Sequence, residues 1–299
     1  MAKDRLYLFD TTLRDGAQTA GIEFSLEDKI SIARLLEKLG VDYVEGGYPG
    51  ANVVDTEFFS KKRTDKAVFT AFGMTKRAGR SVENDPGVQD LLNSSADAVC
   101  YVAKAWDHQV KLALGISLKE NLKSIADSVA ASVKRGKETM LDCEHFFDGY
   151  KANPEYALDV VRTAMEAGAR WIVLCDTNGG TMPYEVEEIV DAVMQVCPGD
   201  KLGIHAHDDT GQAVANSLAA VRTGVRQVQG TLNGIGERCG NANLVTLIPT
   251  LMLKSGFADK FTVGITKKQL SGITQVSRAF DDILNRAPER QSPYVGASA

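Results

Sequence analysis

His205 and His207 stand one residue apart in LGIHAH, and Arg14 and Asp15 stand side by side where the apolar run LYLF gives way to DTTLRDGAQ. Residues i and i+2 of an extended strand point to the same face, so the two imidazoles can be aimed at one ion. Half of the four histidines are in this motif. The plainer alternative is a pair of hydrogen-bonded histidines closing a strand. Asp15 would add an anionic oxygen. Two nitrogens and one carboxylate leave positions open for water or substrate, and suit Mn2+, Zn2+, Fe2+ or Co2+ better than an all-oxygen Mg2+ site. Arg14, held near that ion, could stabilise a developing oxyanion, because a guanidinium stays protonated at any working pH. Its alternative is a structural ion pair. On an open surface such a pair would contribute only about 0–1 kcal/mol, so its interest depends on its following a buried strand.

Eight short apolar runs are available to position these groups, at residues 6–9, 43–47, 67–72, 98–103, 139–144, 171–176, 202–207 and 228–231. Amphipathic segments of helical spacing separate most of them. SLEDKISIARLLEKLG is predicted to open on a capping box of Ser25 and Asp28 and to close at Gly40; SLKENLKSIADSVAASVKRG repeats the device with Ser117, Glu120 and Gly136. Pro154 and Pro183 fall in the first turns of two further helices. Alternating strands and helices imply parallel pairing through right-handed crossovers, and strands buried on both faces read as continuous apolar runs. The predicted class is α/β: a (β/α)8 TIM barrel with a short C-terminal helical extension. No GxGxxG or GxxxxGK[ST] element follows a strand to favour an open nucleotide-binding sheet. The barrel is assigned to residues 1–260. Residues 261–299 are expected to form one helix, roughly TKKQLSGITQVSRAFDDILNRA, and a frayed end, QSPYVGASA.

Functional groups of such barrels gather at the carboxyl ends of the strands. Arg14 and Asp15 follow the first strand, Glu45 ends the second, and Glu144 and His145 end the fifth. Asp176, Thr177 and Asn178 end the sixth, His205 and His207 the seventh, and Asn233, Glu237 and Asn241 follow the eighth. Glu144 is read either as a working group or as a buried carboxylate satisfied by backbone N–H groups. The glycine-rich NGIGERCGNANL is a tight loop that can bring backbone close to a ligand. Cys239 within it is read as a small packed residue.

The chain of 299 residues carries 34 Lys+Arg against 39 Asp+Glu, with the cations scattered, which argues against nucleic acid and anionic membranes as partners. No run reaches 18 uninterrupted apolar residues and MAKDRLYLF lacks a signal-peptide core, so a cytoplasmic protein is expected. The five cysteines, 100, 143, 175, 197 and 239, are odd in number and several lie in apolar runs. They are expected to be reduced and mostly buried.

DTTLRDG after the first strand, HxH at the seventh and NGxGERxGNA after the eighth resemble the DRE-TIM metallolyases. That family includes 2-isopropylmalate, homocitrate and citramalate synthases and hydroxymethylglutaryl-CoA lyase. YVEGGYPGAN, EHFFDGYKANPEYAL, LCDTNGG and VQGTLNGIGERCGNANL are similar to the citramalate synthase branch, and the resemblance spans about residues 5–296. It implies a metal-dependent Claisen condensation of acetyl-CoA with a 2-oxo acid, pyruvate in that branch, giving (R)-citramalate on the way to isoleucine. The implied metal set is Asp15, His205, His207 and, by match to the GNA motif, Asn241, holding Mn, Zn, Mg or Co. Arg14 and Glu144 are the implied catalytic residues. Arg14, Asp142, Glu144 and Thr177 would contact substrate, Glu144 on the acetyl side through the EHFFDG match and Thr177 on the carboxylate through CDTNGG. A homodimer is implied. In relatives a helical subdomain beyond the barrel contributes a His and a Tyr, and a regulatory domain follows; either the base for the acetyl methyl lies beyond PYVGASA or the protein works without those groups. In AKAWDHQV, His108 is displaced by one position from the histidine of close relatives.

Two rival readings accompany the acyltransferase. One is a carbon–carbon lyase working in the cleavage direction, for which Cys239 would be an acid/base. The other is a barrel that binds metal and 2-oxo acid without turnover.

Overall fold

The eight apolar runs become eight parallel strands that close on themselves: β1 Tyr7–Asp10, β2 Tyr43–Glu45, β3 Val68–Met74, β4 Ala98–Lys104, β5 Glu138–Glu144, β6 Trp171–Asp176, β7 Leu202–Ala206 and β8 Gln227–Gly230. The computed structural model describes residues 3–298. β1 pairs with β2 on one side and with β8 on the other, Phe9 opposite Tyr43 and Tyr7 opposite Gln227, which completes the (β/α)8 barrel. Alternation along each strand sorts the side chains. Leu8, Val44, Leu141, Leu174 and Ile204 face the surrounding helices, while Phe9, Tyr43, Cys100, Met140, Trp171 and Val173 pack inside.

The inner packing is graded along the barrel axis, and this gradient positions the site. At the amino end Trp171 Nε1 donates to Tyr43 Oη at 3.0 Å, and Tyr43 Oη donates to Glu138 Oε1 at 2.7 Å, with Tyr7 tilted over Trp171 at 5.2 Å between ring centroids. These large rings close the bottom. Toward the carboxyl end the inward residues turn polar: Glu45, Asp142, His205 and Gln229, all buried.

The helix Leu26–Leu39 begins as predicted: Asp28 N–H donates to Ser25 Oγ at 3.1 Å and Ser25 N–H to Asp28 Oδ2 at 3.0 Å, and Gly40 ends the helix with φ 94°. Ser25→Ala is expected to lower stability by about 1 kcal/mol. Urea unfolding would show this as a lower midpoint at unchanged m, and an unchanged midpoint would mean that the box contributes nothing. At Leu118–Lys134 only half of the predicted box forms. Ser117 Oγ accepts from Glu120 N–H at 3.2 Å, but Glu120 Oε1 accepts from Gly79 N–H at 3.3 Å instead of returning to its own cap.

Beyond the barrel the sequence expectation needs two corrections. The single helix is two, Lys267–Leu270 and Ile273–Ile283, interrupted where Gly272 N–H reaches back to Gln269 O at 3.0 Å and Ser271 Oγ donates to Lys268 O at 2.8 Å. A serine that bonds its own backbone, followed by glycine, favours such a break. The second helix buries Val276 and Phe280. The last segment is not frayed either: Val295 is buried, Tyr294 Oη lies 3.1 Å from Thr250 Oγ1, and Gly296 N–H donates to Ser292 O at 2.9 Å. Among the described residues no helix is long and apolar enough to cross a membrane.

Candidate active site

The abrupt change from LYLF to DTTLRDG has a local cause. Asp10, at the end of β1, accepts from Thr12 N–H at 2.9 Å and Thr12 Oγ1 at 2.7 Å, and Thr12 Oγ1 accepts from Leu232 N–H at 2.9 Å. Burial pushes the Asp10 carboxyl up to about 7. The N–H groups of Arg14, Asp15 and Gly16 then converge on Thr11 O at 2.9–3.1 Å, a single tight turn that aims two successive side chains over the barrel mouth.

On the other side of the mouth His205 and His207 point inward from the end of β7. His205 Nε2 lies 3.1 Å and His207 Nε2 3.8 Å from Asp15 Oδ2. His205 Nδ1 faces Gln229 Oε1 at 2.8 Å, and Gln229 Nε2 donates to Asp142 Oδ1 at 3.3 Å, so the first imidazole is oriented from below. Asn241 is delivered by the loop after β8, which folds back and bridges His207 in antiparallel sense; Ala242 N–H donates to Ala206 O at 3.0 Å. The glycines make this return possible. Gly240 turns with φ 93°, and a Cβ at Gly236 would stand 2.6 Å from Asn241 Nδ2.

Arg14 is enclosed by carboxylates: Nε to Glu45 Oε2 at 2.8 Å, Nη1 to Asp15 Oδ2 at 3.3 Å and Nη2 to Asp142 Oδ2 at 4.0 Å, with its guanidinium 4.0 Å from the centroid of the Phe72 ring. Burial opposes its charge, but Glu45, Asp15 and Asp142 together hold it above its ordinary value. Burial also pushes Asp15 up, yet Arg14 and His205 outweigh that and keep the carboxylate well below its usual range. Glu45 is pushed up to about 7 by burial against the pull of Arg14, and Asp142 is raised for the same reason. Burial and then His205 bring His207 down to about 4, leaving it a neutral imidazole. His205 is raised, since the hydrogen bond and charge of Asp15 overcome burial.

An anionic Asp15 and a neutral His207 suit a metal, which would have to displace the proton that Asp15 favours on His205. Donor atoms of Asp15, His205 and His207 lie within 4.8 Å of one another. Asp15 Oδ1 and both polar atoms of Asn241 are buried with no hydrogen-bond partner. Buried polar atoms are rarely left unpaired, so this set fits one divalent cation. It opens into a cavity of about 270 Å3 at the barrel mouth, walled by Phe72, Met74, Val102, Lys104, Glu144 and Thr177.

Not every strand-end polar residue reaches this cavity. Asp176 is buried and accepts from Thr181 N–H at 3.2 Å and Thr181 Oγ1 at 2.9 Å, so it fastens its own loop. Asn178 donates to Asp148 Oδ2 at 2.7 Å. Asn233 donates to Asp281 Oδ1 at 2.8 Å and ties the barrel to the helix Ile273–Ile283. Glu144 is not satisfied by backbone; its Oε2 lies 2.5 Å from Lys104 Nζ, and both line the cavity. Thr177 Oγ1 accepts from His145 N–H at 2.8 Å at the cavity wall. His108 is exposed beside the Trp106 ring. Cys100, Cys143, Cys175 and Cys197 are buried free thiols, whereas Cys239 is exposed rather than packed, carried outward by a loop whose next residue turns with positive φ.

Lys104 and Gln229 were not singled out from the sequence. Lys104 could have been found as the polar residue that ends β4, and Gln229 as a polar residue inside a run that otherwise reads as buried.

The HMGL-like family model matches residues 5–277, nearly the whole barrel and its extension. The chain belongs to the HMGL-like family. The resemblance to the DRE-TIM metallolyases is thereby borne out. Among curated HMGL-like relatives, the (R)-citramalate synthase of Streptomyces coelicolor is 49% identical over 300 residues, covering 99% of this chain and 55% of the relative. The (R)-citramalate synthase of Aquifex aeolicus is 48% identical over 299 residues, covering 99% and 56%. A 2-isopropylmalate synthase of Microcystis aeruginosa is 32% identical, covering 99% and 57%. The chain therefore spans about half the length of the curated relatives it matches. Among solved structures, the HMG-CoA lyase of Bacillus subtilis superposes with a TM-score of 0.81 at 19% identity, covering 99% of this chain and 98% of that one. At that identity the likeness shows the fold.

Proposed function

We propose that this chain is the barrel portion of an acyltransferase that condenses acetyl-CoA with a 2-oxo acid, pyruvate foremost, to give (R)-citramalate and CoA. The observation that carries the reading is the cluster of Asp15, His205 and His207 beside Arg14 at the barrel mouth, in a chain 46–49% identical to five curated (R)-citramalate synthases. The reaction removes a proton from the acetyl methyl, joins that carbon to the ketone carbon, protonates the former ketone oxygen, and hydrolyses the thioester to release CoA.

Asp15, His205, His207 and Asn241 would hold a divalent cation. When bound, such an ion supplies Lewis-acid polarisation of the oxo acid. Arg14, permanently charged and fixed by Glu45, would place a guanidinium N–H where the ketone oxygen becomes an alkoxide. Thr177 and Glu144, the latter held by Lys104, line the cavity; Thr177 would bind the substrate carboxylate and Glu144 would meet the acetyl side. Asp142 buttresses both Arg14 and Gln229 beneath the substrate. We propose further that the enzyme works as a homodimer in the cytoplasm.

The cleavage reading receives less support. Its acid/base, Cys239, is exposed and is not among the residues lining the cavity. The deciding experiment is thiol release from acetyl-CoA over a panel of 2-oxo acids, with and without chelator, with products identified by mass. Chelator-sensitive release with pyruvate and a citramalate product is the expected result. Cleavage of a hydroxyacyl-CoA without condensation would replace this reading by the lyase.

A further inference from the structure

Two oxygens carry negative charge in turn during the proposed condensation. The thioester oxygen of acetyl-CoA does so when its methyl loses a proton, and the ketone oxygen of the 2-oxo acid does so when the new carbon–carbon bond forms. Arg14 is placed for the second. The first still needs a donor, and the barrel mouth holds another cation. Lys104 ends β4 in register with Glu144 at the end of β5, and both line the 270 Å3 cavity. Lys104 and Arg14 are the two Lys or Arg side chains among the described residues that line it.

Arg14 is taken up by three carboxylates, whereas the Lys104 ammonium has one ion-pair partner among the described residues, Glu144 Oε2 at 2.5 Å. An ammonium carries three N–H groups, so donors remain for a ligand. The Lys104 side chain keeps 15% of its surface exposed and Glu144 26%, so a ligand in the cavity can reach the pair. The pair is fixed from behind. Asn121 Nδ2 donates to Lys104 O at 2.9 Å and to Tyr156 Oη at 2.7 Å, and Ala105 N–H donates to Glu144 O at 2.9 Å, which ties β4 to β5 where the two side chains leave. His145, at φ 59°, turns the chain directly after Glu144, and Thr177 Oγ1 accepts its N–H at 2.8 Å. Strained backbone of this kind gathers at functional sites.

We propose that Lys104 donates to the thioester oxygen of acetyl-CoA and stabilises the enolate that forms there. In this step a methyl C–H bond breaks and its proton passes to the Glu144 carboxylate. The electron pair left on carbon becomes the C=C bond, and the carbonyl π pair moves onto the thioester oxygen. Negative charge thus moves from Glu144 to the enolate, and the ammonium has an anion beside it before and after. When that carbon attacks the ketone carbon, the C=C pair forms the new bond and the oxygen restores the thioester carbonyl. A donor held in place beforehand acts where charge develops in the transition state. This inference rests on the acyltransferase reading above.

Two inert thioethers test it without turnover. Carboxymethyl-CoA sets a negative oxygen near the place of the enolate oxygen, and its amide, carbamoylmethyl-CoA, has the same shape without the charge. Calorimetry on the 299-residue chain with Mn2+ and pyruvate compares them. Wild type is expected to bind the carboxylate more tightly than the amide by at least about tenfold, as an enzyme complementary to the enolate should. Lys104→Gln should lose that preference while binding of the amide and of pyruvate is unchanged. Glu144→Gln, which stands in for the protonated carboxyl, should keep it. In thiol release, Lys104→Gln should lower kcat by about 10²–10³-fold with KM for pyruvate near wild type. No preference in wild type, or one that Lys104→Gln retains, overturns the inference and leaves the acyltransferase reading standing. A preference that Glu144→Gln also abolishes overturns it too, since the ion pair and not the ammonium would then be at work. Wild type that binds pyruvate but neither thioether removes the co-substrate, and the acyltransferase reading fails with it.

Discussion

His205→Ala is expected to abolish metal-dependent binding of pyruvate while the barrel stays folded. His205 is one of the four proposed donors, stands 3.1 Å from Asp15 Oδ2 and is aimed by Gln229, so its removal would leave Asp15, His207 and Asn241 without the geometry to hold an ion. Asp15→Asn should act alike for a different reason. It removes the anionic donor whose charge Arg14 and His205 maintain, and metal ligands must be deprotonated. Calorimetry with Mn2+ or Zn2+ followed by pyruvate, alongside circular dichroism, checks both variants. Wild-type affinity for metal and pyruvate in either one, with an intact spectrum, would remove these residues from the site.

The second large effect belongs to Arg14, and the choice of substitution matters. Arg14→Ala takes the one guanidinium away from Glu45, Asp15 and Asp142 at once. Leaving buried carboxylates uncompensated costs about 3–5 kcal/mol, so the loss of activity would be mixed with loss of fold. Arg14→Lys keeps the positive charge but gives up the planar fork that now reaches Glu45 through Nε and Asp15 through Nη1 while stacked on Phe72. Loss of one preorganised oxyanion donor lowers kcat by about 10²–10³-fold. That fall is expected for Arg14→Lys in thiol release, with metal content and pyruvate affinity near wild type. A kcat within a few-fold of wild type would show that Arg14 is a structural counterion.

Much of the architecture was legible because it is written locally. Buried parallel strands read as unbroken apolar runs, and the Ser25 box and Gly40 stop are short-range chemistry. The approach of His205 to His207 was legible as well, since their i, i+2 spacing fixes a common face whatever the rest of the chain does. Asp15 reaches the two histidines because the barrel closes with the first strand beside the last.

What the sequence by itself determined, then, was the alternation of strands and helices and the set of polar residues at the strand ends. Which of those residues reach the barrel-mouth cavity was decided by tertiary structure. Asp176, Asn178 and Asn233 occupy the same kind of position as Thr177, yet Asp176 is taken up by Thr181 of its own loop, and Asn178 and Asn233 by Asp148 and Asp281, which come from distant parts of the chain. Arg14 acquires its three carboxylates from its neighbour in sequence and from β2 and β5, and Glu144 acquires Lys104 from β4. The anchoring of Tyr294 on Thr250 was likewise settled by a contact that forms only when the chain has closed. Period and spacing are local properties, whereas the partner that satisfies a buried charge comes from whichever element the barrel register places beside it.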